Sequence, residues 1–179
     1  MAEPPSPEHA VTFDLASGLV HLADAPKRVL CAADALEALL EAAPPVAREA
    51  FAERLGAPLG TRLARRLDAA SATVEEVVDH LGLELALAGL GALSVERWGA
   101  ALVLVVDHAP LGADTLAAVI AAALEAATRL GAHVIPLMRD ATRTRLLVTG
   151  AAGAAKARER LGEGRGWGEV LVELHGAAS

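Results

Sequence analysis

Ala92-Leu93-Ser94-Val95-Glu96-Arg97-Trp98, then Gly99, then Ala100-Ala101-Leu102-Val103-Leu104-Val105-Val106 is the stretch on which the fold turns. The first half mixes polar and apolar residues, and the second is apolar at every position from Ala101. Gly99 between them is a tight hairpin signal. A fully apolar strand is usually central in its sheet and covered on both faces. Pro110 and Gly112 end it. The helical patterns lie mostly before this hairpin, and strict βα alternation is missing, so the chain reads as α+β with an antiparallel sheet.

Upstream, Val11 to Leu22 alternates around Ser17-Gly18 and reads as a short hairpin. Asp34 to Ala43 is helical, and Pro44-Pro45 ends it while suiting the first turn of the next helix. In Val46 to Leu55, the residues Val46, Ala47, Ala50, Phe51 and Leu55 share one face. Gly56 reads as a C-cap, and Pro58 as the start of a third helix through Leu67. Thr73 and Glu76 form a capping box for a fourth helix, striped by Val74, Val77, Val78, Leu81 and Leu85 and stopped at Gly89 and Gly91.

Downstream, a helix capped by Asp114 or Thr115 runs to Leu130 and stops at Gly131. His133 to Met138 is a strand that Pro136 confines to an edge or a bulge. Arg143 to Thr149 is a strand, Ala154 to Leu161 a short helix, and Glu169 to His175 a last strand. The expected architecture is therefore N-terminal helices packed on an antiparallel sheet, with an extra C-terminal helix and strand. Met1 to Ala10, acidic and proline-rich, is expected to be a disordered tail, and 11–179 one domain in which 150–179 is an extension.

Composition narrows the function. Apolar residues make up 54% of the 179 and the net charge is −7, which opposes nucleic-acid or acidic-membrane partners. The groups Arg62, Arg65, Arg66 and Arg139, Arg143, Arg145 are expected to be solvated mixed-charge faces. One cysteine, Cys31, excludes an internal disulfide and fits a reducing compartment; its apolar neighbours suggest a small buried hydrophobe. The N-terminus lacks the pattern of a signal peptide, no uncharged run has membrane-spanning length, and a cytoplasmic location is expected.

Catalytic constellations are missing. Thr149-Gly150-Ala151-Ala152-Gly153 has no Gly-Lys-Ser/Thr after it and reads as an ordinary strand-to-helix turn. No histidine pair has zinc-site helical spacing, although Asp79-His80 and Asp107-His108 could converge in space. No nucleophile elbow exists. Trp98 and Trp167, each beside glycine, read as a packed cap over the core or as interface anchors. The sequence thus nominates no catalytic, metal or cofactor-binding residue, and no cofactor.

Two stretches carry a family resemblance. Gly56-Ala57-Pro58-Leu59-Gly60-Thr61-Arg62-Leu63 resembles a signature of the TRAPP small subunits, whose spaced glycines let one helix lie directly on its neighbour. Pro110-Leu111, followed by Ala118 to Glu125, is similar to the family's proline-leucine turn and following helix, with Leu124-Glu125 retained and alanine replacing two glycines and an arginine. Ser17 to Phe51 is similar to the start of vinyl-reductase and aromatic-activator sensor domains. The likeness covers roughly Val11 to Thr149 in all. Asp68-Ala69-Ala70-Ser71-Ala72 stands where well-known TRAPP subunits carry a cysteine, and the sensors' C-terminal cysteine cluster is absent.

The resemblance implies packing roles for Gly56, Gly60, Arg62, Leu63, Pro110, Leu111, Leu124 and Glu125. It also implies that apolar surface left by the helices is shielded by something else. The first expectation is a non-catalytic scaffold that dimerises, or joins a protein partner, through its N-terminal helices, in an assembly of the kind that regulates a small GTPase. The alternative is a sensor or carrier whose apolar pocket, walled by Phe51, Leu63, Val77, Leu81, Leu85, Val119 and Ile120, holds a hydrophobic small molecule. An enzyme with an unrecognised site is the remote third.

Overall fold

The computed structural model describes residues 11–22, 25–28, 31–67 and 72–175. A small antiparallel sheet opens the chain: β1 (Val11–Asp14), β2 (Leu19–Leu22) and β3 (Ala25–Arg28), in that spatial order. Its first turn forms because Asp14 accepts from the Ala16 and Ser17 amides at 3.0 and 3.2 Å, and because Gly18 takes φ +68°. The expected hairpin is present; β3 is an addition to it.

Helices α1 (Ala33–Ala42), α2 (Pro45–Arg66) and α3 (Val74–Leu87) follow. There are three rather than four before the main sheet, because α2 runs straight through Gly56 and Pro58. Pro58 removes one helical hydrogen bond, yet packing holds the helix. Ala52, Gly56, Leu59, Gly60 and Leu63 form one continuous buried stripe along it. Pro45 occupies the first turn, and the Thr73 capping box starts α3 as the sequence indicates.

The main sheet has the order β4-β5-β7-β6, antiparallel throughout, from β4 (Ala92–Trp98), β5 (Ala101–Asp107), β6 (His133–Arg139) and β7 (Arg143–Thr149). The apolar β5 is central, and β6 is an edge strand whose register shifts between Pro136 and Met138. Helix α4 (Ala113–Thr128) connects β5 to β6. It ends at Arg129, which adopts φ +58° itself, so the stop precedes Gly131.

Strand alternation splits the interior in two. Leu104, Val106, Val134 and Leu146 face α2, α3 and α4. Val103, Val105, Ile135, Leu137 and Leu147 face α5 (Ala151–Gly162) and α6 (Trp167–His175). The chain therefore ends in a second helix where a strand is expected. Val170 and Leu171 are buried there while Val172 is exposed, a helical rather than an alternating pattern. With two apolar strand faces to cover, the sheet needs helices on both sides.

The expectations for 1–10 and for Asp68 to Ser71 lie outside the described residues. No helix among the described residues is long and apolar enough to cross a membrane.

Candidate functional site

Gly56 and Gly60 stand where α2 crosses α4. A Cβ added at Gly56 would stand 2.2 Å from the Val119 carbonyl oxygen, and one at Gly60 1.9 Å from that of Ala123. Helix α2 therefore lies on α4 backbone to backbone. Leu63 and Leu124 are buried in the same core, and Glu125 is exposed.

An adjoining face of α2, which shares Leu59 with that buried stripe, borders a cavity of about 530 Å³. Phe51, Leu55 and Leu59 recur every four residues to give it an apolar wall, and Arg54, Pro58 and Arg62 run parallel at the same spacing. Ala33 and Leu36 of α1 and Val11 and Val20 of the hairpin enclose it from the N-terminal side. Leu87 to Leu90, where α3 turns into β4, form another wall, and Pro110-Leu111 closes the space from the β5–α4 loop.

That loop is tied down. Arg139 donates to the carbonyls of Leu111 and, at 3.3 Å, Ala109. The His108 amide, in a left-handed residue, donates to the Thr142 carbonyl at 2.6 Å. Arg143 pairs with Asp107 at 2.8 Å, a contact that holds the Asp107 carboxyl below its ordinary range.

Apart from Arg65, which is exposed, the arginines of the two groups are engaged with partners rather than simply solvated. Arg62 Nε donates to Glu84 Oε2 at 2.6 Å, and Arg66 Nη1 stands 3.0 Å from Glu84 Oε1. Glu84 is only 1% exposed, and burial of such a charge demands compensation. Arg145 lies over the Trp167 ring at 5.5 Å and donates to Glu96 at 3.1 and 3.2 Å. Trp98 and Trp167 meet edge to face at 5.0 Å, so the two tryptophans cap the junction of α6 with the sheet as one cluster.

Of the residues expected to wall a pocket, Phe51 alone borders the cavity. Leu63, Leu81, Leu85, Val119 and Ile120 are buried in close-packed core, and Val77 is half-buried against it. Arg62, Pro110 and Leu111, nominated for packing, do line the space, as does Cys31, which is exposed rather than buried. The sequence signal for the true lining was the second stripe of α2, Phe51-Leu55-Leu59, combined with the proline-leucine turn.

A groove of about 440 Å³ between α4, β6 and α5 carries Asp114, His133 and Arg158. Among the described residues no three His, Cys, Asp or Glu side chains come together as a metal site, so Asp79-His80 and Asp107-His108 do not form one. Thr149 to Gly153 is the strand-to-helix turn expected of it.

No family model matches the chain, and no curated protein matches it either. Among solved structures it is similar to the phenol-responsive sensory domain of the transcription activator PoxR with phenol. The TM-score is 0.56 at 14% identity, over 94% of this chain and 92% of that one. At that identity the likeness establishes a shared fold.

Proposed function

We propose that this chain is a non-catalytic sensor or carrier domain that holds a small hydrophobic molecule in the cavity between the N-terminal hairpin, α1, α2 and the β5–α4 loop. The observation that carries the reading is the cavity itself. Its roughly 530 Å³ lies in the range of small-molecule sites, and its walls are mostly aliphatic. The likeness to a sensory domain crystallised with phenol supports the same assignment. A sensor needs no catalytic constellation, which agrees with the sequence.

The test is occupancy. Native mass spectrometry of the chain purified under gentle conditions, together with calorimetric titration of small alcohols and phenols, should reveal one ligand per chain. Ala88→Phe fills the cavity from the end of α3 and should abolish binding while the circular dichroism spectrum is kept. If no compound of this class binds, or if Ala88→Phe binds as wild type does, the assignment to this cavity is wrong.

A second reading, association with another copy or with a protein partner, draws on a different observation. Leu39 and Val46 are 66% and 71% exposed on α1 and the start of α2, and Ala47 and Ala50 beside them are also uncovered. Light scattering of wild type and of Leu39→Glu separates the two readings: association through this face requires the variant to be smaller in solution.

A further inference from the structure

We propose that the cavity selects hydrophobic acids, holding an apolar tail against Phe51, Leu55 and Leu59 and a carboxylate against Arg62 and Arg54. The inference rests on the ligand-binding reading and specifies its ligand class.

The charge distribution points to it. The chain carries a net charge of −7, yet among the described residues no acidic side chain lines this cavity; the charged lining residues described are Arg54 and Arg62, two turns apart on α2. Behind them, Arg62 and Arg66 share the carboxylate of Glu84, which among the described residues leaves the cluster one positive charge in excess. Arg62 Nη2 is buried with no hydrogen-bond partner among the described residues. An unsatisfied buried donor is costly, and a guanidinium meets a carboxylate with charge-assisted hydrogen bonds. Low-dielectric aliphatic walls strengthen that attraction, and they reject ions that lack an apolar tail.

The division of labour follows from position. Arg54 is exposed and lies toward the outside, where it draws in an anion. Arg62 is half-buried and anchored at Nε by its 2.6 Å bond to Glu84, and its buried Nη2 must turn toward the cavity to receive one.

Matched probes test it. Calorimetric titration of the whole chain with octanoate and with octan-1-ol compares equal tails that differ in the head group. Octanoate should bind at least about tenfold more tightly at low ionic strength, as a charge-assisted contact implies. Added sodium chloride should erode that preference while leaving octan-1-ol unaffected. Arg62→Gln should reduce the preference to near unity. Arg54→Gln, at an exposed position that leaves folding intact, should lower it several-fold even if the Arg62 variant does not fold. Equal affinities of the two probes, or a preference insensitive both to salt and to Arg54→Gln, overturn the acid selectivity and leave the cavity reading in place. Failure of both probes to bind overturns the cavity reading as well.

Discussion

Gly60→Ala is the sharpest test of how α2 and α4 are joined. The new Cβ would lie 1.9 Å from the Ala123 carbonyl oxygen and 2.9 Å from the Ala126 Cβ, against 3.4 Å or more in ordinary contact. The helices must therefore part locally by roughly 1.5 Å, and a gap of even 0.5–1 Å forfeits about a quarter to a half of the dispersion energy across it. The obstructing atom is backbone, which cannot swing aside as a side chain could. Overpacking of this kind costs about 1–3 kcal/mol and at times more, whereas alanine gains about 1 kcal/mol over glycine in helix propensity. With backbone as the obstacle the cost lies at the top of that range, so the steric effect should win, with a net loss of about 2 kcal/mol and a fall in Tm of roughly 4–8 °C for a domain of this size. Gly162→Ala, at a helix end with nothing within 4 Å of the new Cβ, is the control and should be neutral or slightly stabilising. The assay is urea and thermal unfolding followed by circular dichroism. If Gly60→Ala is as stable as wild type, α2 does not lie on α4 backbone to backbone.

Other expectations follow from particular contacts. Glu84→Gln leaves Arg62 and Arg66 facing a neutral group in a buried setting and should cost about 3 kcal/mol in urea unfolding, while Arg65→Gln, exposed on the same helix, should cost almost nothing. Hydrogen bonds from Arg145 hold the Glu96 carboxyl below its ordinary value near 4.5, so its contribution is complete above that pH and is lost as acid protonates the folded form. Tm should therefore fall less between pH 6 and pH 3 in Glu96→Gln than in wild type. Because Cys31 borders the cavity and is the single cysteine, a bound ligand should slow its alkylation by iodoacetamide, read by mass spectrometry; an unchanged rate at saturating ligand counts against occupancy near that residue.

Much of the architecture could be read from the chain because its signals were local. The apolar run Ala101 to Val106 announced a covered central strand, and Pro136 announced an edge strand with an irregular register. The Thr73 capping box is a pair of reciprocal bonds that four residues suffice to encode. Two readings failed where tertiary packing overrode a local rule. Gly56 and Pro58 look like a stop and a start, but burial of Gly56 and Gly60 against α4 compensates for the bond that Pro58 removes. Glu169 to His175 carries β-formers and reads as a strand, yet only a helix lets Val170 and Leu171 cover the sheet while Glu173 meets Arg160 and Arg165.

The site was harder to read for a reason tied to what a cavity is. The strongest apolar stripes, Leu81 and Leu85 on α3 and Val119 and Ile120 on α4, are strong because they fit one another, and surfaces that fit leave no space. A cavity forms instead where segments meet without interdigitating. Here these are the second face of α2, the end of α3 at Gly89, the loop at Pro110 and the N-terminal hairpin, brought together from positions some hundred residues apart. Proline and glycine at these meeting points limit how closely side chains can fill the gap. Two arginines on the helix with the strongest packing constraint then give the empty volume a chemical sign. Gly56 and Gly60 fix one face of α2 against α4, and in doing so they hold Arg54 and Arg62 in position on the adjoining one.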